Sequence, residues 1–181
     1  MRDSGLTSFE TPIGACGIAW RTAGLVGLQL PGGREDVDRL RRRFPDLAAA
    51  APPPWVEEAI AAIRSLLSGQ AVDLGFVPLD FSGLAEFDAA VLRAARAIPP
   101  GRTVTYGAIA AQVGEPKGAQ AVGRALGRNL WPIVVPCHRV TGAGGRTGGF
   151  SAPGGTATKL KLLEIEGALA AETLPLFAER D

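Results

Sequence analysis

Two neighbouring residues have the types needed for covalent chemistry: Cys137 and His138, at the end of the run Ile133-Val-Val-Pro136. A cysteine reacts as its thiolate, and a nearby base or cation brings its pKa down from about 8.5. Three aliphatic residues and a proline predict that the thiol sits at the mouth of a buried strand, with Arg139 directly after the pair. Neighbours in extended chain point to opposite sides. Thiol and imidazole would then need a bridging water, with a carboxylate beyond the imidazole to hold its tautomer. Glu166, at the end of the last helical stretch, is the candidate carboxylate. Taken singly, each residue has a plainer reading: an inert buried thiol, a core histidine, an exposed helix-end acid. The whole string Ile-Val-Val-Pro-Cys-His-Arg-Val is far more specific than its parts. A cysteine hydrolase fits poorly, because the one histidine of the chain adjoins the thiol. Two cysteines and one histidine are also too few for a conventional zinc site or a disulfide framework.

The elements that must carry these groups can be read outward from them. Residues 108–113 and 119–130 read as two short helices around Gly114-Glu-Pro116, a helix-turn-helix layout. Thr103-Val-Thr-Tyr106 ahead of them is β-prone, and residues 86–98 form a helix with apolar positions 87, 91, 94, 95 and 98. After the cysteine come a glycine-rich loop, residues 142–155, and a closing helix, residues 156–166. This unit begins near residues 80–84. Before it, two strands, residues 11–20 and 24–30, join through the turn at Thr22-Ala23-Gly24. An amphipathic helix follows over residues 36–44, then the Pro52-Pro-Pro54 break, then a helix over residues 55–67. Acids lead and arginines end the 36–44 helix, so its basic run reads as a C-terminal cap and solvated face rather than a nucleic-acid patch.

The chain has 181 residues, 46% apolar and 20% charged, which suits a globular core. No apolar run reaches 18 residues, and the amino terminus lacks a signal-peptide layout, so a soluble, cytoplasmic protein without a membrane partner is expected. The net charge of +1 hides an uneven distribution. Residues 1–100 sum to −2 and residues 163–181 to −4, while residues 101–162 carry eight cations against Glu115 alone. That segment (Arg102, Lys117, Arg124, Arg128, Arg139, Arg146, Lys159, Lys161) is the footprint of a polyanion binder. The 119–130 helix adds small residues, Ala119, Ala121, Gly123, Ala125 and Gly127. Glycine inside a helix costs about 1 kcal/mol, so two of them imply close approach of another surface. The flanking Lys117, Arg124 and Arg128 favour a nucleic-acid groove.

The string Pro136-Cys137-His138-Arg139-Val140 resembles the active-site signature of the O6-alkylguanine-DNA alkyltransferases, the methylated-DNA–protein-cysteine methyltransferases. The likeness runs from about residue 81 to Gly167, through Val104-Thr-Tyr106, Ala121-Val-Gly123, Asn129 and Leu162-Leu163…Glu166-Gly167. Thr11-Pro-Ile-Gly14 is the best cue in the first 80 residues. The resemblance implies an RNase H-like α/β domain over residues 1–80 and a mostly α winged helix-turn-helix domain over residues 81–181. It implies a monomer that binds double-stranded DNA, flips an O6-alkylguanine (with O4-alkylthymine as a second lesion) and moves the alkyl group irreversibly to Cys137, once per molecule, without cofactor or metal. Tyr106 would crowd the phosphate beside the flipped nucleotide and bond its base, and Asn129 would be the hinge between DNA-binding helix and reactive loop. Carbonyls of Cys137 and Val140 would take the guanine amino group, and a Glu166–His138–water relay would deprotonate the thiol. DNA and substrate contacts are expected from Gln120, Ala121, Gly123, Arg124 and Arg128, from Arg102, Lys117 and Lys159, and from Ser151 and Ala152.

Two departures bear on that expectation. The family's intercalating arginine, fourteen residues after the tyrosine, is here Gln120, with Arg124 one turn on as a substitute. The loop over the guanine pocket reads Phe150-Ser-Ala-Pro-Gly-Gly155 in place of a Tyr-Ser-Gly-Gly or Tyr-Ala-Gly-Gly stretch. Some members bind zinc in the N-terminal domain, but Cys16 has no accompanying histidine. The Gln120 change leaves two alternatives: a sensor that binds alkylguanine without repairing it, which Cys137 counts against, and an alkyl acceptor for a non-DNA substrate.

Overall fold

The computed structural model describes residues 3–32 and 36–169. The first two residues and most of the acidic 163–181 segment lie outside that range. Strands β1 (Gly5–Thr11), β2 (Gly14–Arg21) and β3 (Gly24–Gln29) form an antiparallel meander in which Phe9 pairs with Cys16 and Ile18 with Leu28. The 22–24 turn falls where the sequence predicts it. The earlier strand, β1, precedes the strands the sequence predicts; its two large apolar residues, Leu6 and Phe9, stand three apart and so lack the alternation that marks a strand.

The sheet buries both faces. Helix α1 (Asp36–Arg43) lies across one, where Leu40 packs with Leu6, Ala19, Val26 and Leu47. A side chain at position 17 would start 2.7 Å from Leu40 Cδ1, so glycine here leaves room for the Leu40 side chain against the sheet. The other face meets α2 (Pro54–Leu67), whose Val56, Ala59, Ile60, Ile63, Leu66 and Leu67 are buried at helical spacing. The hydrophobic cluster on this side continues without a break from Phe9 to Leu162.

The second half contains α3 (Glu86–Arg96), the two-residue strand β4 (Val104–Thr105), α4 (Tyr106–Gln112) and α5 (Ala119–Gly127). A 3₁₀ turn (Cys137–Arg139), β5 (Val140–Thr141) and α6 (Gly155–Ile165) follow. Helix α4 begins two residues earlier than predicted, because Thr105 Oγ1 caps it by accepting from the Ala108 N–H at 3.1 Å. Strands β4 and β5 pair in parallel, Val104 with Val140, which brings Tyr106 beside the reactive segment.

Residues 133–136 are not a strand. They are buried, as expected, but Ile133 has φ 75°, and the Val135 N–H bonds the Trp131 carbonyl at 2.8 Å in a tight turn. Pro132 and Pro136 bracket the run, and neither can donate to a ladder. Strand β3 anchors this turn from the other half: Leu28 N–H donates to Leu130 O at 2.8 Å, and Trp131 Nε1 donates to Leu25 O at 2.8 Å. No helix among the described residues is long and apolar enough to cross a membrane.

Candidate active site

Because Cys137 opens a 3₁₀ turn, the expected extended geometry does not hold. Successive residues turn about a third of a circle there, so the thiol and imidazole do not face opposite ways. Cys137 is 7% exposed and His138 1%. Asn129, just past the end of α5, fixes the loop: its Nδ2 donates to Val135 O at 2.9 Å and to Cys137 Sγ at 3.3 Å, and its Oδ1 accepts from the Trp131 N–H at 2.9 Å.

Behind the thiol lies a buried ionic cluster. Glu166 Oε1 meets His138 Nε2 at 2.8 Å. Arg139 donates to both oxygens of the same carboxylate, at 2.8 and 2.7 Å, and to Ile98 O at 2.6 Å. Burial alone would raise the Glu166 pKa, yet the hydrogen bonds from Arg139 and His138 hold it at about 2. Burial pushes His138 below its ordinary value against the pull of Glu166, leaving a neutral imidazole at neutral pH. An ionised carboxylate only accepts, so the proton sits on Nε2. Nδ1 is left as a buried lone pair with no protein partner among the described residues.

Burial also raises the Cys137 thiol, while the hydrogen bond from Asn129 and the charge of Lys159 pull the other way. Lys159 was expected among the DNA-contacting cations, but it is fully buried and cannot reach a phosphate. Its Nζ donates to Val140 O at 2.6 Å, Gly149 O at 3.2 Å and Tyr106 Oη at 3.4 Å. Burial lowers its pKa to about 8, against the raising effect of Cys137. Burial likewise raises Tyr106, which stays a phenol that donates to Gly149 O at 3.4 Å. Gly148, at φ 72°, lies so close to Tyr106 that a Cβ there would be 2.6 Å from the phenol oxygen.

A cavity of about 560 Å³ opens above the sulfur. Tyr106 and Phe150 face it from two sides, Ala119, Gln120 and Gly123 from α5, and Ser151 from the loop. Nine expected site residues thus come together here: Tyr106, Gln120, Gly123, Asn129, Cys137, His138, Ser151, Lys159 and Glu166. Others stand apart. Ala121 does not line the cavity, and Ala152 faces a neighbouring one. Val140 is buried, with its carbonyl already bonded to Lys159. Arg128 makes a bidentate pair with Asp88 at 2.7 and 2.8 Å. Of the eight cations read as a polyanion footprint, Arg139 and Lys159 are internal, while Arg102, Lys117, Arg124, Arg146 and Lys161 are exposed. The clamp Arg139 places on Glu166 went unforeseen; Arg139 two residues after the thiol was the available signal.

Residues 86–168 match the family model described as 6-O-methylguanine DNA methyltransferase, DNA binding domain. The methylated-DNA–protein-cysteine methyltransferase of Mycobacterium leprae is 37% identical over 170 residues, covering 94% of this chain and 96% of that protein. Its namesake from Methanothermobacter thermautotrophicus is 40% identical over 119 residues, a match spanning 65% of each protein. The Mycobacterium tuberculosis OGT crystallised in complex with DNA superposes with a TM-score of 0.71 at 31% identity, covering 96% of this chain and 99% of that one. The chain belongs to the methylated-DNA–protein-cysteine methyltransferase family.

Proposed function

We propose that this protein repairs DNA by moving the alkyl group of O6-alkylguanine onto Cys137, each molecule acting once. The observation that carries the reading is a thiol at the floor of a base-sized cavity, bonded by Asn129, with a neutral, carboxylate-oriented imidazole adjoining it in sequence. A buried cysteine with a raised pKa is unreactive at rest, so the proton must leave as substrate arrives. The lone pair of His138 Nδ1 is the acceptor, through a bridging water, and Glu166 stabilises the resulting imidazolium. The sulfur lone pair then forms the S–C bond while the C–O6 bond breaks. The purine departs with that electron pair, and the thiol's proton ends, in net terms, on guanine. Tyr106, a phenol beside Lys159, is placed to donate to the departing base. The thioether is stable, which makes the reaction stoichiometric.

The same reading takes residues 81–181 as a winged helix-turn-helix domain on double-stranded DNA and residues 1–80 as an RNase H-like domain. Supporting it, α4 and α5 pack around the Gly114 turn, and α5 exposes Gln120, Arg124 and Gly127 along one face. An O6 atom inside a duplex is out of reach, so the base must be turned out of the stack. No feature of the geometry favours a sensor or a non-DNA acceptor. The test is transfer of labelled methyl from a duplex bearing one O6-methylguanine. One label per chain is expected and none with Cys137→Ala; label-free protein that still prefers the lesion duplex would turn the reading to a sensor.

A further inference from the structure

Arg128, the residue that caps α5, is held by an acid of another helix. Its Nε and Nη2 donate to the two carboxylate oxygens of Asp88, in the first turn of α3, at 2.7 and 2.8 Å. The Asp88 side chain is 13% exposed and that of Arg128 58%. Hydrogen bonding from Arg128 keeps Asp88 below the ordinary carboxylate range, so the pair is ionised at neutral pH.

A pair this exposed adds little to stability, but it fixes a long side chain in one pose. A guanidinium has five N–H donors in a rigid fork. Asp88 takes one edge of that fork, and Nη1 has no partner among the described residues. Helical spacing puts Arg128 on the side of α5 that also exposes Gln120, Arg124 and Gly127. An open guanidinium edge beside that face suits a phosphate oxygen. We propose that Arg128 donates to a backbone phosphate of the duplex, and that Asp88 is its positioning residue, holding the guanidinium in place before DNA arrives. The proposal rests on the reading that α5 faces DNA. Immobilising a long side chain on association costs affinity, and Asp88 has already immobilised this one. Charge alone predicts the reverse: Asp88 is an anion at the edge of a DNA-facing helix, and removing it should tighten binding. The sign of the effect therefore separates positioning from simple electrostatics.

Duplex affinity is measured over a range of salt for wild type, Asp88→Asn, Arg128→Ala and the double variant. Reaction with free O6-benzylguanine, which has no phosphate, reads the thiol site separately. Asp88→Asn is expected to bind the duplex about fivefold more weakly, despite the lost negative charge. Arg128→Ala should weaken binding at least as much and lower the slope of log affinity against log salt by about 0.9, the share of one phosphate. Without Arg128, Asp88→Asn should cost nothing further, and every variant should react with O6-benzylguanine at the wild-type rate. Equal or tighter duplex binding by Asp88→Asn overturns the proposal, as does an unchanged salt slope in Arg128→Ala. A loss that persists without Arg128, or one matched with O6-benzylguanine, makes the pair merely structural and overturns it too. Wild type that binds no duplex removes the DNA reading itself, and this proposal with it.

Discussion

Replacing Glu166 by glutamine keeps the shape of the side chain and removes its charge. In the folded protein that carboxylate accepts from Arg139 twice and meets His138 once, with its own side chain 3% exposed. Its pKa of about 2 stands against an ordinary 4.5, a gap that corresponds to roughly 3 kcal/mol of stability. That agrees with the 3–5 kcal/mol or so lost when one partner of a buried pair is removed. Because the folded-state pKa is depressed, the contribution is complete above the ordinary carboxylate value and is lost as pH falls from about 4.5 toward 2. Urea unfolding should therefore place Glu166→Gln about 3 kcal/mol below wild type at neutral pH, with the difference shrinking steadily through that acid window. Transfer should also slow by about 10²-fold, since the imidazolium loses its counter-charge. A stability gap under about 1 kcal/mol, or one indifferent to acid, would refute the pairing described.

Three further outcomes are expected. Gln120→Arg should speed transfer from duplex DNA and barely change reaction with free O6-benzylguanine; equal effects on both would remove Gln120 from base flipping. Gly148→Ala must accommodate both a left-handed φ and a clash with the Tyr106 phenol, so it should cost about 2 kcal/mol in unfolding free energy and slow transfer; wild-type behaviour would show the loop sits elsewhere. Burial depresses His138, so the transfer rate should stay flat as pH passes below about 6.5, the ordinary histidine value, and fall only further into acid. An inflection at the ordinary value would mean the imidazole is solvated.

Much of the helical framework was legible because amphipathic spacing is local: α2 and α3 begin and end within two residues of where periodicity places them. The chemical pair was legible too, since Cys137 and His138 adjoin in sequence. What failed depended on distant partners. Lys159 and Arg139 read as surface cations, and only the carbonyls of Val140, Gly149 and Ile98 and the carboxylate of Glu166, from other segments, make their burial affordable. Residues 133–136 have strand composition, yet the flanking prolines and the Asn129 bonds impose a turn. The arginines of α1 read as a solvated face; nothing in the sequence links them to a thiol nearly a hundred residues on, which tertiary packing brings to the same cavity.

Alkyl transfer to Cys137 is tested most directly by where the alkyl group ends. After incubation with a duplex bearing one O6-methylguanine, mass spectrometry of the tryptic peptide spanning residues 129–139 should show one added methyl on Cys137 and none on Cys16. An unmodified Cys137 with the lesion still in the DNA, or a methyl on any other residue, would contradict it.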